Sequence, residues 1–245
     1  MQLQFIGCGD AFGSGGRFNT CFHVTGKQAN FLIDCGASSV ISLKAHGVSL
    51  NEVDIIFITH FHADHFGGIP FFVLDARFFA RRTMPLTIAG PRSLPEWYER
   101  VMEASFPGSS KTKGRFELSL VELAAREPTT LGQVRVIPFP VKHGELGGPC
   151  YAYRIEAEGR TIAYTGDTEW TQELIEVGRN ADLFIAEAYF YDKQVKHHLD
   201  LVTLTRHLPL IQPKRLVITH MSDGVLSRSA AIPYEVAEDG KVLEI

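Results

Sequence analysis

The sequence predicts an α/β fold, and three observations carry that reading. Short apolar runs rich in β-branched and aromatic residues, among them Ile55 to Thr59, Thr161 to Tyr164, Leu183 to Ala186 and Leu216 to Thr219, read as buried strands. Between them lie segments with helix punctuation: Ser38 to His46 is stopped by Gly47, and Ser93-Leu94-Pro95-Glu96 supplies a cap, a first-turn proline and an acid at N3. Histidine and aspartate recur where the apolar strands give out, which in α/β sheets is the rim where ligands gather. With 245 residues and 45% hydrophobic content the chain can bury a sizeable core, and one domain spanning residues 1–245 is expected.

Composition narrows the partners. Lys and Arg total 24 against 28 Asp and Glu, giving −4 and a pI near 6.2. Bulk charge therefore does not favour nucleic acid. The N-terminus has no basic stretch followed by a long apolar one, and no apolar run approaches a membrane span, so a cytoplasmic protein without a membrane partner is expected. Cys8, Cys21, Cys35 and Cys150 form no CxxC pair and read as reduced thiols.

Leu3 to Ile6 begins the chain as a strand, and the glycine-rich turn Gly7 to Gly16 has no Walker lysine and fits no dinucleotide fingerprint, so it reads as a loop lining the cleft. Cys21 to Thr25 and Asn30 to Ile33 form a hairpin that ends at Asp34. That carboxylate has two readings: a cap for the following helix, or an outer partner that holds a metal-binding histidine. His46 reads as helix surface. Ser49 with Glu52 spells a capping box. Gly67, Gly68 and Pro70 confine regular helix to the later part of Phe66 to Arg82, and the two glycines would let backbone approach closely any metals held by the histidines just before them, His60, His62 and His65. Met84 to Ala89 is a strand, and the helix after Ser93 should bury Trp97, Tyr98 and Val101. Lys111, Lys113 and Arg115 read as a solvated loop, with a lid as the second reading. Strands return at Gln133 to Pro138 and Cys150 to Glu156.

The stretch Ile55 to Gly68 organises the rest. His60, His62, Asp64 and His65 follow its strand, and in extended geometry His60 and His62 share one side. Imidazole and carboxylate are the donors zinc prefers, with manganese and iron as rivals. His143, Asp167 and His220 each follow a later strand, and all could converge on the first cluster. Ile-Thr-His closes two strands, at Ile58 to His60 and Ile218 to His220, an echo that suggests two halves built to one plan.

THFHADHFGG, His143, TGDT around Asp167 and THMS around His220 together resemble the metallo-β-lactamase superfamily across nearly the whole chain. IGCGDAFGS, IDCG and ITHMS are further similar to the branch of tRNase Z and phosphonate-pathway cyclic phosphodiesterases. The resemblance implies a four-layer αβ/βα sandwich, two mixed sheets flanked by helices, with two divalent metal ions, zinc or alternatively Mn2+ or Fe2+. It implies that His60, His62 and His143 hold one metal, that Asp64, His65 and His220 hold the other, and that Asp167 bridges them. Glu187, with His198 before an apolar helix, resembles the branch's glutamate and histidine pair, although His197 is adjacent and leaves that assignment open. By the same resemblance Asp64 would orient a metal-bridging hydroxide and His198, held by Glu187, would protonate the leaving alkoxide.

The tRNA-gripping arm of bacterial tRNase Z has no counterpart between His143 and Asp167. A small or cyclic phosphodiester is therefore the expected substrate, with Phe18, Phe66 and Tyr189 available to stack on a ring. The competing readings are thioester or lactone hydrolysis, tRNA 3′ processing, and a non-catalytic metal-binding protein. Homodimerisation is carried over from the branch.

Overall fold

A computed structural model describes residues 1–144 and 147–245. Among these residues the strands are β1 (Gln2–Gly7), β2 (Cys21–Thr25), β3 (Asn30–Ile33), β4 (Ile55–Phe57), β5 (Leu86–Gly90), β6 (Leu118–Glu122), β7 (Thr129–Leu131), β8 (Val134–Val141), β9 (Cys150–Ala157), β10 (Arg160–Tyr164), β11 (Leu183–Glu187), β12 (Leu216–Thr219), β13 (Glu235–Val236) and β14 (Val242–Glu244). The α-helices are α1 (Ser39–Ala45), α2 (Ala63–Phe66), α3 (Ile69–Leu74), α4 (Leu94–Ser105), α5 (Glu173–Gly178), α6 (Leu201–Ile211) and α7 (Asp223–Leu226).

The strands form two sheets, ordered β14-β1-β2-β3-β4-β5-β6 and β7-β8-β9-β10-β11-β12-β13. In each sheet the first three pairings in that order are antiparallel and the last three parallel. The two halves do share a plan. The Ile-Thr-His echo is not its signature, however, because β4 corresponds in position to β11 and not to β12.

Both faces of each sheet are covered, which is why the parallel strands read as continuous apolar runs. Phe31, Ile33, Ile55 and Phe57 from one sheet meet Ile162, Tyr164, Ile185 and Val217 from the other in a core between the sheets. The alternate residues Leu32 and Ile56 face α1, α3 and α4. Phe184, Ala186 and Ile218 face α5 and α6. The result is the four-layer αβ/βα sandwich.

Several local expectations are corrected. β4 ends at Phe57 rather than Thr59, because the Asp34 carboxylate takes the Thr59 N–H at 2.8 Å and turns the chain out of the ladder. β5 starts at Leu86, since the Met84 and Pro85 carbonyls are bound by the buried guanidinium of Arg82. Ser49 heads only a 3₁₀ turn over Leu50–Glu52 and makes no side-chain cap. Ser93 is left-handed at φ 72° and makes no cap either; its N–H goes to the Glu122 carboxylate. Leu94, Tyr98 and Met102 form the buried stripe of α4, which leaves Trp97 one position off it, partly exposed and stacked on Phe61. Gly68 serves the fold: a Cβ there would lie 2.3 Å from the Gly36 carbonyl, so it lets the turn before α3 press on the Asp34 to Gly36 turn and not on the metals. The segment Lys111 to Arg115 is solvated. The Glu103 carboxylate binds the Gly108 and Ser110 N–H groups at 2.6 and 3.1 Å, and the neighbouring cleft is lined by Arg77, Tyr98 and Phe116, with none of the expected metal ligands.

Candidate metal centre

All seven expected ligands meet at one edge of the sandwich. His60 Nε2 and His143 Nε2 stand 3.1 and 3.0 Å from His62 Nδ1. Beside this trio, His65 Nε2 is 3.4 Å from Asp64 and 3.3 Å from Asp167, and His220 Nε2 is 3.1 Å from Asp167. Asp167 Oδ2 lies towards both groups, 3.6 Å from His143 Nε2 and 3.1 Å from His220 Nε2. His60, His62 and His143 form one candidate metal cluster, and Asp64, His65, Asp167 and His220 a second. The shortened β4 means that His60 and His62 are aimed by the turn after Phe57 and by the extended N-cap conformation of His62, not by strand alternation.

For His60, His65, His143 and His220 the outer nitrogen has a partner that leaves Nε2 turned inward, whereas His62 turns Nδ1 inward. His65 Nδ1 donates to Asp34 at 2.6 Å and His143 Nδ1 to the His197 carbonyl at 2.7 Å. Thr59 Oγ1 donates to Asp34 at 2.8 Å and can therefore accept from His60 Nδ1 at 3.1 Å. Thr20 Oγ1 donates to the Gly9 carbonyl and stands 3.3 Å from His220 Nδ1. Those bonds favour a proton on the Nδ1 of these four rings and leave Nε2 as the nitrogen that faces the site. Asp34 thus fulfils the outer-partner reading; the helix cap is Ser38. Asp34 and His220 both hold left-handed backbone, φ 59° and 53°, a conformation that costs free energy and is tolerated where the surroundings fix it.

The donor set fits cations. His65 Nε2 and Asp167 Oδ1 are buried without a hydrogen-bond partner, an arrangement that costs free energy unless something positive lies between them. Burial drives His60 well below the usual imidazole range and His143 down to about 4, so both are neutral and able to ligate. His65 shows the opposite need: against the cost of burial, Asp167, Asp64 and Asp34 raise it well above its usual value. The same three carboxylates would favour a divalent cation in place of that proton.

His198 borders the ring. Its Nδ1 is 3.0 Å from Glu187 Oε2, and its ring stacks on Tyr189 with centroids 4.6 Å apart. Burial lowers His198, but the Glu187 hydrogen bond and charge lift it to about 9; burial and then Asp167 push Glu187 to about 7. The shared hydrogen bond therefore favours a protonated imidazole held by Glu187. His197 contributes its carbonyl to His143 instead. Of the expected stacking rings, Tyr189 lines the cleft, Phe66 is 1% exposed within the helix-side core, and Phe18 is not in the lining. Phe12, which the sequence does not single out, does line it.

Comparison with known proteins agrees with this construction. Ribonuclease Z of Clostridium kluyveri is 25% identical, over 95% of this chain and 91% of its own length. Ribonuclease Z of Methanosarcina mazei is 26% identical, over 100% and 98%. The structure of the short form of human tRNase Z superposes with a TM-score of 0.78 at 27% identity, over 100% of this chain and 99% of that one. The metallo-β-lactamase fold protein YhfI of Bacillus subtilis gives 0.78 at 22% identity, over 99% of each, and so speaks for the fold alone. Fold and site define a metal-dependent hydrolase of the metallo-β-lactamase fold, in the tRNase Z-like branch. Within it, the chain belongs to the family described as Anti-Pycsar protein Apyc1, whose model matches residues 1–241.

Proposed function

We propose that this chain hydrolyses a small or cyclic phosphodiester at a dinuclear centre, with zinc as the first candidate metal and manganese or iron as alternatives. In this reading residues 1–245 act as one domain, since both sheets supply ligands to the same ring. His60, His62 and His143 hold one metal, Asp64, His65 and His220 the other, and Asp167 lies between them. Bound there, the cations would polarise a phosphoryl oxygen and bring the pKa of the attacking water towards neutrality. Asp64, a buried carboxylate that His65 keeps ionised despite its burial, would accept a hydrogen bond from that water and aim it.

The observation that carries the reading is His198 in the cleft that also holds Asp64, Asp167 and His220, with its Nδ1 3.0 Å from the fully buried Glu187. An alkoxide leaving phosphorus is a strong base and needs a proton. A thiolate leaves without one, so this acid suits a phosphodiester better than a thioester.

Two features favour a small substrate over folded RNA. The cleft has a volume near 460 Å³, and its lining includes Phe12, Asn19 and Tyr189 but, among the described residues, no lysine or arginine. RNA binding rests on phosphate neutralisation, which such a wall cannot supply. The alignment with the Clostridium kluyveri relative also runs to 289 positions, more than the 245 residues here, so stretches of that relative face gaps in this chain. A tRNA-processing nuclease is the second reading, favoured by what the relatives are named. Protein reconstituted separately with zinc and manganese should turn over cyclic nucleotides and aryl phosphodiesters in preference to thioesters, lactones and a precursor tRNA at matched salt. Site-specific cutting of the tRNA with no activity on any small diester would overturn the proposal.

A further inference from the structure

We infer that Phe12 is a specificity-determining residue that offers one face to a planar ring on the substrate. This inference rests on the phosphodiesterase reading of the same cleft. Phe12 is 82% exposed, the most exposed large apolar side chain among the described residues. The other strongly exposed ones, such as Ile41, Phe78 and Phe79, belong to the outer helix layer, whereas Phe12 stands at the metal cleft with Asp64, Asp167 and His220.

The loop that carries it is fastened on both sides. The fully buried Asp10 carboxylate accepts from Phe12 N–H at 3.1 Å, Ser14 N–H at 2.9 Å and the Ser14 hydroxyl at 2.7 Å. Asn19 Nδ2 donates to the Asp10 carbonyl at 3.0 Å, and Gly15 N–H reaches across to Asp223 at 2.9 Å. A ring held in water by this many bonds is presented, because free of them the loop could fold it inward and gain apolar burial. The rest of the cleft wall gives the reason. Ala11, Ala37 and Ala63 are small, and among the described residues the lining has no lysine or arginine, its basic groups being His62, His143, His198 and His220 of the site already described. Once the phosphate is met by the metal ring, aromatic contact is the largest source of further binding that this wall can offer, and a flat ring can lie against Phe12.

The test compares two diesters that share a p-nitrophenolate leaving group, phenyl p-nitrophenyl phosphate and methyl p-nitrophenyl phosphate. The measured quantity is the ratio of their kcat/KM values. Phe12→Ala and Phe12→Leu should each lower that ratio roughly fivefold to tenfold, the size of one aromatic contact, and Phe12→Tyr should keep it. Leucine retains apolar bulk without a flat face, so its loss identifies stacking. Metal content is measured on every variant and should match wild type. An unchanged ratio in Phe12→Ala overturns the inference, as does a change in oligomeric mass without a change in the ratio, which would make the ring a protein contact. If wild type turns over neither diester, the phosphodiesterase reading itself has failed; if it turns over both and the ratio holds in every variant, only the role of Phe12 has.

Discussion

Replacing Asp34 by asparagine should weaken metal binding at His65 by roughly ten- to a hundredfold. Asparagine has the same shape and tolerates the left-handed backbone at φ 59°, so the change removes charge and acceptor capacity with little strain. In the wild type one carboxylate serves two ligands, accepting from His65 Nδ1 at 2.6 Å and from the Thr59 hydroxyl, which in turn orients His60. An asparagine with its oxygen at the Oδ2 position still accepts from both, but it carries no charge and turns its NH2 on the Thr59 backbone N–H that Oδ1 now binds at 2.8 Å. A lost charged hydrogen bond in a buried site is worth about 1.5–3 kcal/mol, which at about 1.4 kcal/mol per decade is roughly one to two decades, the range seen when partners of metal-binding histidines are removed. Competition against a chromophoric chelator reads the affinity directly, and thermal unfolding of the metal-free protein separates it from a loss of fold. Affinity within twofold of wild type, in a variant that unfolds at the wild-type temperature, would refute the role given to Asp34.

Three further outcomes are expected. His65→Ala should lower the metal stoichiometry from about two towards one, as measured by elemental analysis; one ion held tightly and unaffected by changes at Asp64, His65 or His220 would count against the two-metal assignment. His198→Ala should retain its metals and lose most activity on diesters with poor alkoxide leaving groups and least on those that release a phenolate. Equal losses on both would remove His198 from the acid role, and a selective loss in His197→Ala instead would transfer it. Gly68→Ala should destabilise the protein by about 1–3 kcal/mol, because its Cβ would fall 2.3 Å from the Gly36 carbonyl; denaturant unfolding at the wild-type midpoint would show that the two turns are not closely packed.

What the sequence determined by itself was chemical and local. Apolar runs without alternation marked strands covered on both faces, and His60, His62, Asp64 and His65 lie close enough in the chain for their shared purpose to be legible. Their resemblance to a known superfamily supplied the partners, since nothing local says that His143, Asp167 and His220 belong to the same point. The tertiary structure decided what depends on long separations. Asp34 became an outer partner rather than a cap because β3 pairs with β4 and brings it under Thr59 and His65. His198 was paired with Glu187, and His197 turned its carbonyl to His143. Thr20 reaches His220 across 200 residues. Phe66 looked like a ring at the rim, yet the turn of α2 directs it into the core, while Phe12 stays in the open because its loop is fastened by Asp10. Residue type and period fix which side chains can do the chemistry; the sheet order and the bonds that close each loop decide which of two neighbours faces the candidate site.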